Sequence, residues 1–149
     1  MKDERSVAVL WASIPAEQIR LRTMLVEAGE IDLTRRPDAG GWSVLEVVRH
    51  LLFAEQAHLG RHDDDHRGWS PFGYTPATMR EARKLGWPAE PQPPVGDVLA
   101  AWQAVHERVE RALRQRDDAT IEAALRRNLK HLRAHTRAVE RALHPRKAT

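Results

Sequence analysis

Apolar residues recur every three or four positions along four stretches of the chain, which is the period of an amphipathic helix. No stretch shows the strict alternation of apolar and polar residues that is typical of a half-buried strand. The pattern predicts helices over residues 5–28, 43–60, 97–113 and 120–143. We therefore expect an all-α fold.

Several residues indicate where these helices begin, end or bend. Ser43 is followed three residues later by Glu46, the capping-box signature of a helix start. Asp97 is a suitable N-cap for the third helix, and Pro145 stops the fourth. Pro15 lies inside the first stretch. Because proline lacks a backbone N–H, we expect a kink or a restart there.

The connections between the helices constrain the topology. The break at residues 114–120 is short, so the third and fourth helices are expected to be antiparallel neighbours. Residues 61–94 form a long polar and aromatic connection, with a short helix expected over residues 77–85, and this length allows the second and third helices to run parallel. The expected architecture is a four-helix bundle, up-down-down-up, with a long crossover between helices two and three.

The composition limits the classes of function. A chain of 149 residues is expected to form a single domain over residues 1–149. No apolar run approaches the roughly 20 residues of a membrane span, and the first residues lack the order of a signal peptide, so we expect a cytoplasmic protein with no membrane partner. The 24 basic and 21 acidic residues alternate along most segments, and no basic run is interleaved with aromatics. We therefore expect no nucleic-acid partner.

The chain has eight histidines and no cysteine, which leaves His, Asp and Glu as the strong metal ligands. His131 and His135 are four residues apart and project from one helix face, while His50 lies on the inward side of the second helix. Three neutral imidazoles that converge would leave an open position on a metal ion, as in catalytic sites. The alternative is that these are core histidines, hydrogen-bonded to their neighbours.

Other histidines offer rival interpretations. His58, His62 and His66 are spaced four and four, with the acidic residues 63–65 between the last two. This segment is polar and lies at a predicted helix end, so we expect a solvated surface there. His106 lies in the apolar stripe of the third helix. It could be a fourth ligand, a partner of a ligand or a paired core histidine, and we favour the last.

Two segments carry a resemblance to a known family. Residues 35–61 read RRPDAGGWSVLEVVRHLLFAEQAHLGR, and residues 131–143 read HLRAHTRAVERAL. The chain resembles the DinB/YfiT-like superfamily of metal-dependent enzymes. Trp42, Ser43 and His50 match the family's Trp-Ser helix start and the metal-binding histidine of helix two. His131 and His135 occupy the ligand positions of its HxxxH element on the last helix.

The resemblance implies an up-down-down-up bundle, commonly dimeric, that holds a divalent ion such as zinc or nickel through the three histidines. Some relatives are thiol S-transferases or isomerases that use a low-molecular-weight thiol. The short break between the third and fourth helices is a departure, because many relatives carry a longer segment there that helps to shape the pocket. The resemblance therefore leaves the particular substrate open.

The leading hypothesis is a metal-dependent enzyme, a thiol transferase, acting on a small-molecule substrate as a homodimer. The alternatives are a non-enzymatic metal-binding or stress-response bundle and a helical interaction module with packed histidines. Candidate general bases are Glu46, Glu55 and His106. Arg49 and Arg137 flank the ligands and could hold a carboxylate, although exposed arginines are more often solvated.

The tryptophans and the other aromatic residues of the long connection divide into two groups. Trp11, Trp42 and Trp102 are expected to pack in the core or at a helix start. The long connection holds four more, which could cover a pocket or form a dimer contact: Trp69, Phe72, Tyr74 and Trp87.

Overall fold

The computed structural model describes residues 4–35, 42–64, 70–74 and 92–144, and this part of the chain is helical without a strand. Its five α-helices are α1 (Glu4–Glu27), α2 (Glu30–Thr34), α3 (Val44–His58), α4 (Val95–Leu113) and α5 (Ala119–Leu143), with one 3-10 turn at Gly60–His62. The all-α prediction is confirmed, and the four predicted helices correspond to α1, α3, α4 and α5. None of the described helices has the length and apolar content needed to cross a membrane.

The core forms where α5 packs against α1 and α3, and where α3 also packs against α4. Trp11 and Trp102 are buried there, as expected from the sequence. Burial of each large apolar side chain contributes roughly 1.5–3 kcal/mol to folding. Among the side chains that are almost fully buried are Ile14, Leu21, Leu25, Leu45, Leu52, Leu113, Ile121 and Leu125.

The expected restart at Pro15 is wrong, because α1 continues through the proline to Glu27. A proline in a helix interior costs about 3 kcal/mol. However, the buried residues Trp11, Ile14 and Leu21 keep the same helical phase on both sides of it. Their packing against the rest of the bundle outweighs the lost hydrogen bond.

Two helix starts and one short helix also differ from the predictions. α4 begins at Val95 after Pro94, so Asp97 lies in the first turn instead of at the N-cap. α5 begins at Ala119, where the side chain of Asp118 caps Ile121 N. The helix α2 occupies part of a segment interpreted as turns. The short helix expected over residues 77–85 lies outside the described residues, as do Trp69 and Trp87.

The start of α3 has the capping box that the sequence predicts. Ser43 Oγ accepts a hydrogen bond from Glu46 N at 3.2 Å, and Glu46 Oε1 accepts one from Ser43 N at 2.8 Å. Both residues are buried. Because two backbone N–H groups at this helix end have partners, the first residue of α3 is defined, and so is the direction in which its side chains point.

A buried polar network ties three helices together. Gln18 of α1 donates from Nε2 to Glu55 Oε1 of α3 at 2.8 Å, and the Nδ1 of His106 on α4 lies 3.1 Å from Glu55 Oε2. The Nε2 of His106 lies 3.4 Å from a Glu110 carboxylate oxygen, an ion-pair distance without hydrogen-bond geometry. Burial alone lowers the pKa of His106, but the hydrogen bond and charge of Glu55, with other acidic neighbours, outweigh it and raise the pKa. His106 is thus a paired core histidine.

Replacing Ser43 with alanine should destabilise the protein by about 1 kcal/mol, because it leaves an N-terminal N–H of α3 without its acceptor. The loss is measurable as a lower urea midpoint in equilibrium unfolding. Ser13→Ala is the matched control, since Ser13 Oγ bonds only a carbonyl of its own helix, Val9 O. An equal loss in both variants would contradict the role of the capping box.

Replacing His106 with glutamine should destabilise the protein more at pH 5.5 than at pH 8.5. The raised pKa means that the protonated imidazole stabilises the fold fully below its unfolded pKa of about 6.5, and that this contribution is lost as the pH rises through the folded pKa. Disrupting a buried charge pair costs about 3 kcal/mol at the lower pH. Urea unfolding of wild type and variant at both pH values measures the difference, with the exposed His144→Gln as control. The same loss at both pH values would contradict the pairing.

Candidate metal centre

Three half-buried histidines, His50 of α3 with His131 and His135 of α5, converge between two packed helices. The Nε2 atoms of His50 and His131 lie 3.2 Å apart, and those of His131 and His135 lie 3.1 Å apart. The three ring centroids are separated by 4.4 to 5.3 Å. The structure thus brings together the three residues that the sequence selected.

Local sequence explains this convergence. His131 and His135 lie one turn apart on α5 and border its buried stripe, which includes Leu129 and Leu132. His50 lies about two turns after the start of α3, on the side that packs against α5. All three rings are therefore at the rim of the core, half-buried, with their Nε2 atoms facing one another.

The spacing of these nitrogen atoms matches the needs of a metal ion. In a tetrahedral zinc site with Zn–N distances of about 2.0–2.1 Å, neighbouring nitrogens are separated by about 3.4 Å. Two of the three separations are 3.2 and 3.1 Å, and all three ligand atoms lie within 4.8 Å of one another. A divalent ion could therefore be accommodated with small movements of the imidazole rings. The arrangement supplies three ligands and leaves the remaining coordination position to a molecule from outside.

The electrostatic environment keeps the three imidazoles neutral. Burial lowers the pKa of His50 and of His135; the nearby His58 lowers the pKa of His50 further, and His50 does the same for His135. Burial, followed by repulsion from His135, His50 and His58, lowers the pKa of His131 to about 3. Neutral imidazoles have the free lone pairs that a metal ligand requires.

Aromatic side chains surround His50. The ring of Trp42 lies 5.9 Å from it in a tilted arrangement, and the ring of Phe53 lies 6.5 Å from it in a stacked one. The Nδ1 atoms of His50 and His131 are buried and make no hydrogen bond, although the backbone of Tyr74 is close enough to His50 to oppose the lowering of its pKa. Ligating histidines usually donate this second N–H to a partner.

Arg49 holds part of the long connection against α3. Its guanidinium lies 3.9 Å from the centre of the Tyr74 ring, and it donates to Phe72 O and to Gln92 Oε1, each at 2.8 Å. Tyr74 N in turn donates to Arg49 O at 3.1 Å. The interpretation of Arg49 as a solvated or substrate-holding arginine is therefore wrong. Phe72 and Tyr74, the aromatic residues of this connection that the structure describes, instead lie against α3 beside the histidine cluster.

His58 is a site residue that the sequence interpretation missed. Its Nδ1 lies 3.1 Å from Asn128 Oδ1, and its ring meets that of His131 edge-on at 5.4 Å between centroids. The expectation of a solvated surface is wrong for His58, because it lies on nearly the same side of α3 as His50, two turns earlier, and is half-buried against Asn128 and His131 of α5. His62 lies in the 3-10 turn apart from this cluster, and His66 lies outside the described residues.

Comparison with known families places the chain. The family model of the DinB superfamily matches residues 16–144, so the chain belongs to the DinB superfamily. Comparisons with curated proteins and with solved structures found no match. Family membership and the three-histidine group together fit a metal-binding role and are compatible with a divalent metal.

The purified protein should bind one equivalent of zinc, and His131→Ala should weaken that binding by more than about 100-fold, because the central ligand of the three is lost. Isothermal titration with zinc chloride measures both affinities. His62→Ala is the matched control, since it removes a histidine outside the cluster. Equal affinities in wild type and His131→Ala would show that the ion binds elsewhere.

Proposed function

We propose that the protein is a divalent-metal-dependent enzyme in which His50, His131 and His135 hold the ion, zinc or nickel. The observation that carries this proposal is the convergence of three Nε2 atoms at 3.1 and 3.2 Å. Between neutral imidazoles, one ring of each pair has to donate its N–H to the other, whereas a bound cation would be held by the lone pairs of all three rings. Because the three ligands are neutral, they do not offset the charge of a divalent ion. They also leave one coordination position of the ion open, as in catalytic sites.

We further propose that the substrate is a small molecule and that the reaction is thiol S-transfer. When bound, the ion would lower the pKa of a coordinated thiol or water and polarise an electrophile. Because the chain contains no cysteine, the thiol has to be supplied as a low-molecular-weight co-substrate. The rings of Trp42 and Phe53 beside His50 offer an apolar surface for the organic part of a substrate.

Within this proposal, the protein's own polar groups hold the ligands in position. Glu46 is engaged in the capping box and Glu55 in the buried network, so neither of these candidate bases reaches the cluster as the protein stands. His58, fixed by Asn128, is the titratable side chain next to His131. It would border the open coordination position and can accept or donate a hydrogen bond there.

The proposal includes a single domain with an up-down-down-up order of α1, α3, α4 and α5. Contacts between α3 and α5 support opposite directions, because His50 meets His131 whereas the later His58 meets the earlier Asn128. The same direction for α3 and α4 is supported by Arg49 of α3, which bonds Gln92 just before α4, and by Asp63, after α3, which bonds Arg108 of α4. The same direction for α1 and α5 is supported by the bond of Arg20 to Glu140, while the earlier Leu10 lines a groove with Lys130.

A second candidate is a metal-binding bundle without enzymatic activity. It is favoured by the position of the ligands on two different helices, since an ion held by His50 of α3 and by two residues of α5 would clamp these helices together. A structural ion of this kind contributes to folding free energy, so chelation would lower the melting temperature.

The zinc- or nickel-loaded protein should consume a low-molecular-weight thiol in the presence of an electrophilic acceptor, and His131→Ala should lower the rate by at least about 100-fold, since the bound ion activates the thiol. Loss of free thiol over a panel of thiols and acceptors measures the rate. His62→Ala should keep the wild-type rate. Melting of the variant, followed by circular dichroism, checks that its fold persists.

Chelation separates the two candidates. If removal of the ion abolishes turnover while the protein stays folded at the assay temperature, the enzyme proposal is supported. If the loaded protein shows no turnover with any thiol, but chelation lowers its melting temperature, the clamp is the better account and the enzyme proposal fails.

A further inference from the structure

A groove between α1 and α5 combines an apolar floor with a rim of positive charge. Its volume is about 340 Å³, and small-molecule sites have roughly 300–1,000 Å³. Leu10 and Leu129 are buried and form the floor, whereas the four basic side chains of the rim are exposed. This basic groove is lined by Leu10, Arg126, Leu129, Lys130, Arg133 and Arg137, so no carboxylate is among its described lining residues.

The positive charge of the protein is concentrated on α5. This helix carries six basic and two acidic side chains, an excess larger than the net charge of +3 of the whole chain. Arg126 is paired with Glu122 at 3.0 Å. Lys130, Arg133 and Arg137, by contrast, form no ion pair with any residue that the structure describes. Three cations of the basic groove therefore lack a counter-charge within the protein.

The spacing of these cations is unfavourable unless an anion is present. The four basic side chains of the groove follow one another at steps of four, three and four residues, which makes them neighbours on one helix face. Like charges at these spacings destabilise a helix. The end of α4 shows the usual arrangement, in which Glu110 pairs with Arg114 four residues later. A departure from such a local rule is typical of a binding surface.

The basic groove is separate from the histidine cluster. Around the axis of α5, its cations lie about 150° from His131 and His135, because each residue turns the helix by about 100°. The cluster faces α3, whereas the groove faces α1. Arg137, which the sequence interpretation set beside the metal ligands, therefore lines the groove on the other side of the helix.

We propose that the basic groove binds a phosphate monoester that carries a hydrocarbon chain. Lys130, Arg133 and Arg137 lie within about two turns of α5, so the ends of their long side chains can reach one phosphate group. A phosphate monoester carries about −1.5 to −2 charges at pH 7 and has three acceptor oxygens, which suits several cations better than a singly charged carboxylate. The hydrocarbon chain would lie over Leu10 and Leu129.

The lining of the groove argues against a nucleic acid as the occupant. None of the described lining residues is aromatic, so the groove offers no surface on which a base could stack. Its floor is aliphatic instead, which fits a hydrocarbon chain. The same phosphate chemistry is found in a free alkyl phosphate and in the headgroup of phosphatidic acid, and the experiment below distinguishes these two sources.

Isothermal titration with octyl phosphate, below its micelle concentration, tests the proposal. The full-length protein should bind it with a dissociation constant on the order of 100 μM. Inorganic phosphate, which lacks the chain, and octyl glucoside, which lacks the phosphate, should each bind at least about tenfold more weakly. Absence of octyl phosphate binding, or equal affinity for inorganic phosphate, would overturn the proposal.

The double variant Lys130→Gln, Arg133→Gln assigns the binding to the groove. Its affinity for octyl phosphate should fall at least about tenfold, since two charge-assisted contacts are lost. Because the substitutions relieve repulsion between like charges, its melting temperature should not fall. Arg141→Gln is the matched control, since Arg141 is an exposed arginine of the same helix outside the groove. Equal affinity in the double variant and Arg141→Gln would reject the groove as the site.

His131→Ala separates the basic groove from the metal centre. This variant should bind octyl phosphate like wild type, whether or not the metal-centre proposal holds. A loss of phosphate binding in His131→Ala would show that the metal centre holds the phosphate and would overturn the groove proposal.

Co-sedimentation with vesicles of phosphatidylcholine and phosphatidic acid identifies the source of the phosphate. Sedimentation of wild type but not of the double variant would support the groove with a lipid headgroup as its ligand. If neither sediments while octyl phosphate binds to wild type, the groove is supported with a free alkyl phosphate as its ligand. Equal sedimentation of wild type and the double variant would count against the groove.

Discussion

The structure depends on the hydrogen-bond partners of the polar side chains of α3 that are buried in the core. A buried polar group without a hydrogen bond costs on the order of 1–3 kcal/mol, so each such group constrains what lies next to it. Glu46 requires the N–H of Ser43 and thereby defines the start of the helix. Glu55 requires Gln18 and His106 and thereby ties α3 to α1 and α4. These few polar contacts select one register among the many in which the apolar faces could pack.

This satisfaction is incomplete at the histidine cluster, as it also is at the indole N–H groups of Trp11, Trp42 and Trp102 and at Nε2 of His106. The Nδ1 atoms of His50 and His131 are buried without a hydrogen bond, and the Nε2 atoms of the cluster face one another. The buried carboxylates of Glu46 and Glu55 on α3 each accept a hydrogen bond from a donor group. In the cluster, by contrast, imidazole nitrogens face other imidazole nitrogens. Departures from local satisfaction concentrate at functional sites, where a ligand completes the arrangement. A cation bound there would replace these contacts between rings with three metal–nitrogen bonds.

The sequence predicted those features that depend on local pattern. Helix positions follow from the period of apolar residues, and the capping box follows from Ser43 and Glu46. The choice of the three ligands rested on their spacing and inward side together with the resemblance to the DinB/YfiT-like superfamily. What it missed depends on tertiary packing. Arg49 looks like a surface arginine until residues 70–74 fold over it, since no local signal links positions so far apart in the chain. The continuity of α1 through Pro15 likewise depends on the packing of its buried face.

His58 is an intermediate case, because a signal for it was present. It follows His50 by eight residues, a little over two helical turns, so a helix that reaches it must carry both to nearly the same side. The interpretation failed at the helix end, where the polar residues after His58 indicated solvent. The short polar side chain of Asn128, on the facing helix, supplies the acceptor that lets a histidine lie half-buried there. Where the buried part of a helix gives way to its solvent-exposed end depends on the helix packed against it, and the local sequence does not specify that helix.

Half-burial of the three histidines is itself a constraint on function. Full burial would keep the imidazoles neutral but would close the fourth coordination position, and full exposure would let water and protons compete for the lone pairs. At the rim between α3 and α5 the imidazoles stay neutral, and a molecule from outside can still reach the fourth coordination position.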